Sequence, residues 1–123
     1  MLHLVKHKGR NKTLTVPFLV DLYHKQNGRC AITNLPMTRK FGGGRCMTNI
    51  SIDRIDSSEG YTPDNVQLVL LVVNLMKLDM SEAEVTTMAL FIVTKRFDVM
   101  ISEELTRKLL GEELFDKRYK EAA

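Results

Sequence analysis

Asp53, Asn74 and Lys77 carry side chains whose types and spacing could do chemistry. A carboxylate and an amide carbonyl are hard oxygen ligands. Mg²⁺ takes a few such ligands and fills its remaining positions with water and substrate phosphate. Asn74 and Lys77 are three residues apart, so a helix would present both on one face. That face would be the polar stripe of the apolar run "LVLLVVNLMKL". Asp53 closes the β-like stretch "MTNISID". If the strands on either side of the following loop pair as a hairpin and the helix folds back over them, Asp53 and Asn74 meet. Two other readings stay open on the residues alone. Asp53 could pair with Arg54 or Arg29 at the surface, and Asn74 could be a satisfied polar group in the core or a cap on its own helix.

The surrounding elements must position these groups. Thr15, followed by Val16 and Pro17, reads as an N-cap and first turn. Phe18, Leu19, Leu22 and Tyr23 then recur at helical spacing, and the helix should stop at "QNG", with Gly28 as the left-handed cap. "RCAIT" reads as a short strand, "NLP" as a turn and "KFGGGR" as a flexible connector. "MTNISID" is a second strand, "DSSEGYTPDN" a loop and "VQLVL" a third strand that runs on into a helix through Asn74. Ser81 to Glu84 matches a capping box. A helix to about Met100 should follow, with Val85, Met88, Ala89, Ile92, Val93 and Arg96 along one side. Ser102 caps another helix that Gly111 breaks or ends, and "EELFDKRYKEAA" reads as a charged final helix. The expectation is an α+β chain with strands in the middle and helices at both ends.

At 123 residues the chain fits one domain. No apolar stretch reaches the roughly 18–20 residues that cross a bilayer, and "MLHLVKHKGRNK" lacks an apolar core of signal-peptide length. A cytoplasmic protein with no membrane partner is expected. Cys30 and Cys46 form no CxxC pair, so no structural zinc is expected, and a cytosolic setting disfavours a disulfide. The charge is unevenly spread. Residues 1–50 carry nine Lys and Arg against Asp21 alone, whereas residues 51–123 carry nine against fourteen Asp and Glu. A basic first half suits a polyanion. Lys6, Lys8, Arg10 and Lys12 in a basic arm over residues 1–13, with Arg29, Arg39, Lys40 and Arg45, are the candidate nucleic-acid contacts.

The central motif resembles the HNH, or ββα-metal, endonucleases, most closely their small phage-encoded and homing-type members. The family wording "S-x-D-R-I-D-x-x-x-G-Y-x-x-x-N-V" with a later "N-x-x-K" is matched by Ser51, Asp53, Arg54, Ile55, Asp56, Gly60, Tyr61, Asn65, Val66, Asn74 and Lys77. Upstream, "QNGRCAITNLPM" is similar to the family's lead-in strand. The resemblance covers about Gln26 to Lys77, less than half the chain. It implies a ββα-metal core over residues 26–80, preceded by a helix and followed by a helical extension over 81–123. It further implies a DNA phosphodiesterase with Mg²⁺ or Mn²⁺ held by Asp53 and Asn74. Asn65 would brace the loop, Lys77 would touch phosphate or leaving group, and Gly60 and Pro63 would shape the loop. The setting would be a bacterial host or a phage-infected cell, and the apolar stripes of the C-terminal helices would suit a homodimer.

The sequence departs from that family at one chemically important position. The usual general base is a histidine after the aspartate, and here Arg54 stands in its place. A guanidinium cannot accept a proton near neutral pH. Arg54 could clamp the scissile phosphate; His24 could supply the base, with His3 and His7 lying in the arm; or the chain could bind nucleic acid without cutting it. Many relatives also carry zinc-binding CxxC pairs, whereas Thr33 stands three places after Cys30. The helices after Ser81 would do that bracing instead.

Overall fold

A computed structural model describes residues 14–98, 100 and 102–111. The basic arm and the charged final segment, with the sequence expectations attached to them, lie outside the described residues. The chain is α+β and divides into two compact units, one ending at Asp79 and the other beginning at Met80.

The first unit opens with helix α1, Val16–Lys25. The Thr15 hydroxyl accepts a hydrogen bond from the Phe18 amide at 3.1 Å. Pro17 sits in the first turn, where its missing N–H costs nothing. The helix ends as the chain turns left-handed twice, at Asn27 (φ 55°) and Gly28 (φ 68°). The left-handed cap expected of Gly28 is therefore shared with Asn27, whose short polar side chain tolerates that conformation. A Cβ at Gly28 would also meet the Tyr23 hydroxyl at 2.8 Å.

The stretch "RCAIT" does not become a strand. Its residues close a turn in which the Cys30 amide donates to Leu35 O and the Asn34 amide to Cys30 O, both at 2.8 Å. Among the described residues, the pairing there is one isolated bridge between Arg29 and Pro36. Proline has no N–H for a longer ladder, and left-handed Asn34 (φ 64°) bends the chain away.

Two strands do form, β1 (Ile50–Arg54) and β2 (Val66–Leu70). They pair antiparallel, with Ile52 opposite Leu68 and Asp53 opposite Gln67. The chain passes without a loop into helix α2, Leu71–Lys77. No side chain caps α2. Its first amides instead donate to the segment before β1, Leu71 N to Asn49 O at 2.8 Å and Val72 N to Met47 O at 3.0 Å. Those bonds satisfy otherwise orphaned donors and pin the start of α2 beside the start of β1. The core beneath consists of Leu19, Cys30, Met37, Ile52, Val66, Leu68, Val69, Leu70 and Val73. Each buried aliphatic side chain there contributes about 1.5–3 kcal/mol.

The second unit holds α3 (Glu82–Phe97) and α4 (Glu103–Leu110). The capping box at Ser81 and Glu84 is present, with both reciprocal bonds. α3 ends at left-handed Asp98 (φ 51°), short of Met100. Its buried side chains are Val85 and Thr87. Of the apolar residues expected along one side of α3, Met88, Ile92 and Val93 are exposed. Ser102 caps α4 through a bond from Leu105 N. No described helix is long and apolar enough to cross a membrane.

Candidate functional site at the strand–helix junction

Strand β1 and helix α2 are joined by polar side chains. Residues two apart on a strand share a side, and Ser51 and Asp53 both meet α2. The Asn74 amide nitrogen donates to Ser51 Oγ at 2.7 Å and to Ile52 O at 3.1 Å. One turn on, Lys77 Nζ lies 3.0 Å from Asp53 Oδ1 and donates to Arg54 O, also at 3.0 Å. The outer carbonyls of β1, at Ile52 and Arg54, are thus taken by the two polar side chains of an otherwise apolar helix. Strand β2 is closed in a matching way by Gln26. That side chain accepts from Leu68 N at 3.0 Å and donates to Leu68 O at 2.9 Å, as a neighbouring strand's backbone would.

Asp53 and Lys77 are both buried, 2% and 1% exposed respectively. The second carboxylate oxygen, Oδ2, accepts from Gln67 Nε2 at 2.9 Å. Gln67 stands directly across the hairpin from Asp53. Neither Arg54 nor Arg29 is the carboxylate's ion-pair partner: the structure pairs it with Lys77. As arranged, both Asp53 carboxylate oxygens are engaged by protein groups. One Asp53 oxygen is held by an ammonium and the other by an amide, and Asn74 turns its NH₂ toward β1. Among the described residues, no three His, Cys, Asp or Glu side chains gather where an ion could sit.

The loop between the strands is organised by Asn65. Its Oδ1 accepts from Asp56 N at 2.9 Å, and its Nδ2 donates to Asp56 O at 3.0 Å and Gly60 O at 2.8 Å. One amide therefore closes the neck of the loop. Asp56 in turn accepts from the hydroxyl and amide of Ser58; the hydroxyl bond foremost, then the amide, holds its carboxyl below the usual range. Arg54 reaches back across the loop. Its guanidinium carbon lies 5.2 Å from the centre of the Tyr61 ring, and Nη1 donates to Glu59 O at 3.2 Å.

Beside this junction opens a cleft of about 1000 Å³. Its apolar lining includes Val16, Leu19 and Val20 of α1 with Ile50 and Ile52 of β1. Arg39, Lys40 and Arg45 line it too, together with Phe41, which is 76% exposed. Among the described residues, no Asp or Glu lines the cleft. Asn74, Ser51 and His24 face the same space. The Arg39 guanidinium sits 5.2 Å from the centre of the Tyr23 ring. Between Phe41 and Arg45, Gly42, Gly43 and Gly44 all have positive φ (75°, 70° and 85°), a run only glycine adopts readily. Cys46 sits at the same edge, its thiol lowered mainly by the Thr48 hydroxyl, then by backbone and the Thr38 hydroxyl. Arg29 lies apart from the lining and donates to Asn34 O at 3.0 Å.

The structure thus brings Asp53, Asn74 and Lys77 together around β1, places Asn65 in the adjoining loop and Arg54 at the end of β1 with its side chain over that loop, and puts Arg39, Lys40 and Arg45 on the cleft. Sequence reasoning named Ser51 only as part of the motif, without a contact, and missed Gln67 and Gln26. Of those two only Gln67 carried a signal, and it required the hairpin register. Compared with known proteins, the chain matches no family model, no curated relative and no solved structure.

Proposed function

We propose that the chain is a DNA-acting protein of the HNH, or ββα-metal, endonuclease kind, working in the cytoplasm of a bacterial or phage-infected cell. One observation carries this reading. Asp53, Asn65, Asn74 and Lys77 follow the family's order along β1, the loop, β2 and α2, and three of the four converge on one strand: Lys77 at 3.0 Å from Asp53, and Asn74 bonded to Ser51 and Ile52. The cationic cleft beside that junction supports a phosphate-bearing partner.

The residue order favours cleavage, with Mg²⁺ or Mn²⁺ as the ion the family uses. The closed Asp53–Lys77 pair favours a second reading, a nuclease scaffold that holds DNA without cutting it. Supercoiled plasmid incubated with the chain in Mg²⁺, in Mn²⁺ and in EDTA separates them. Nicking or linearisation that EDTA abolishes and Asn74→Ala removes, in a variant with an unchanged circular dichroism spectrum, establishes the nuclease. A retarded but intact plasmid in every condition establishes the binding module. Neither cleavage nor retardation at low salt rejects the proposal.

A further inference from the structure

We propose that the cleft between α1 and the glycine-rich segment receives unpaired bases, so that the chain prefers single-stranded nucleic acid to duplex. This rests on the reading of the chain as a nucleic-acid protein and goes beyond it. The composition of the cleft is the reason. Its floor is apolar, with Val16, Leu19, Val20, Ile50 and Ile52, whereas its cations are Arg39, Lys40 and Arg45. A duplex shows a protein its sugar–phosphate surface and its groove edges. Pressing charged phosphates against an apolar floor would remove their water and return nothing. An unpaired strand offers apolar base faces and phosphates together, and both have counterparts here.

Phe41 is the sharpest indicator. A phenylalanine 76% exposed, flanked in sequence by Arg39, Lys40 and Arg45, stands outside the core of the described residues. Aromatic rings beside cationic side chains are how single strands are held without sequence preference, since every base has a π-face and every nucleotide a phosphate. Tyr23 lines the same cleft with the planar Arg39 guanidinium over its ring, a second aromatic–cation pair. Among the described residues, no carboxylate that would repel the strand lines the cleft.

The test is fluorescence anisotropy of the full chain at low salt and without divalent metal. The probes are a labelled 12-nucleotide single strand, as DNA and as RNA, and the same sequence as a blunt duplex. Single strand, in either sugar, should bind at least tenfold tighter than duplex. Phe41→Ala should weaken single-strand binding by roughly 5- to 150-fold, the range for losing one base-stacking ring, and leave duplex binding unchanged. Phe41→Trp should restore it. A 2-aminopurine in the strand should brighten on binding wild type, as its base leaves its stacked neighbours for the Phe41 ring, and not on binding Phe41→Ala. Equal or tighter duplex binding, or a Phe41→Ala variant indistinguishable from wild type, overturns the inference and leaves the broader reading standing. No binding to any of the three probes overturns both.

Discussion

Lys77 of α2 places its ammonium nitrogen 3.0 Å from Asp53 Oδ1 of β1, with both side chains sealed from solvent. A buried pair of this kind makes its two members interdependent. Removing one partner leaves an uncompensated buried charge and costs about 3–5 kcal/mol, whereas replacing both with apolar groups of similar volume is often neutral. Lys77→Met and Asp53→Leu should therefore each lower the denaturant midpoint severely. The double variant should recover most of the loss, since the half-buried Gln67 amide can turn toward water. Urea unfolding of the four proteins checks this. Additive losses in the double variant would show that the two residues act separately.

Asn74 answers differently according to its role. Its NH₂ bonds Ser51 Oγ and Ile52 O. In Asn74→Asp the carboxylate would face the Ile52 carbonyl, oxygen to oxygen. If the residue serves the strand edge, Asn74→Asp should destabilise by at least as much as Asn74→Ala, about 1–3 kcal/mol for a buried acceptor left without its donor. If it serves as a metal ligand, Asn74→Asp should keep or strengthen Mg²⁺-dependent plasmid cleavage while Asn74→Ala loses it. Melting temperatures read beside cleavage rates separate the two roles.

The same pair of residues shows how far the sequence could be read. α1, the hairpin strands, α2 and the capping box were all legible, because local rules produce them: Thr15 and Pro17 start a helix, the β-branched and apolar content of "ISIDR" and "VQLVL" favours strands, and Ser81 with Glu84 closes a box. A hairpin with the helix folded back over it was expected to bring Asp53 to Asn74; the structure gives Asp53 to Lys77 and Gln67 and Asn74 to Ser51 and Ile52. Which atoms meet was not legible. The ion pair needs the helix rotation that Met47 and Asn49 impose by accepting the first α2 amides, and the Gln67 bond needs the register. Gln26 was invisible because it is bonded to Leu68, forty-two residues away, and nothing local marks it. "RCAIT" misled for the converse reason. Its β propensity is real, but Asn34 and Pro36 turn the chain before a ladder can grow.

The two cysteines should differ sharply toward electrophiles. Cys30 is 2% exposed and belongs to the core. Cys46 is half-buried at the cleft edge, and the Thr48 hydroxyl holds its thiol below the ordinary value. A lowered pKa means more thiolate near neutral pH, and thiolate is the reacting form. Iodoacetamide at pH 7.5 should alkylate Cys46 well before Cys30 in native protein, with the two rates converging in urea. Thr48→Val should slow the Cys46 reaction and shift its pH profile upward. An unchanged profile would remove the hydroxyl as the cause.

Arg54 decides between the two functional readings, because its observed contacts are modest. The guanidinium lies over Tyr61 and donates to one loop carbonyl, Glu59 O. An exposed cation–π contact is worth about 0.5–1 kcal/mol, so Arg54→Ala should leave the protein folded and lower its stability only slightly. In an active nuclease the same variant should lose about 10²–10³-fold in single-turnover rate, the cost of one transition-state donor. Arg54→Lys should recover only part of that, since it keeps charge but not the planar fork. Arg54→His would place an imidazole where the resembling family has its base, and cleavage should then fall as pH drops through roughly 6–7, as the ring takes up a proton and can no longer accept one. In a binding module the forecast changes. Wild type, Arg54→Ala and Arg54→Lys should all be inert, and Arg54→Ala should weaken duplex and single-strand binding by the same small factor. Single-turnover rates on a short substrate at several pH values, measured beside anisotropy for each variant, distinguish these cases. Full cleavage by Arg54→Ala would eliminate the guanidinium as a phosphate clamp. An inert wild type beside an active Arg54→His would show a nuclease scaffold that kept its grip on nucleic acid after losing its base.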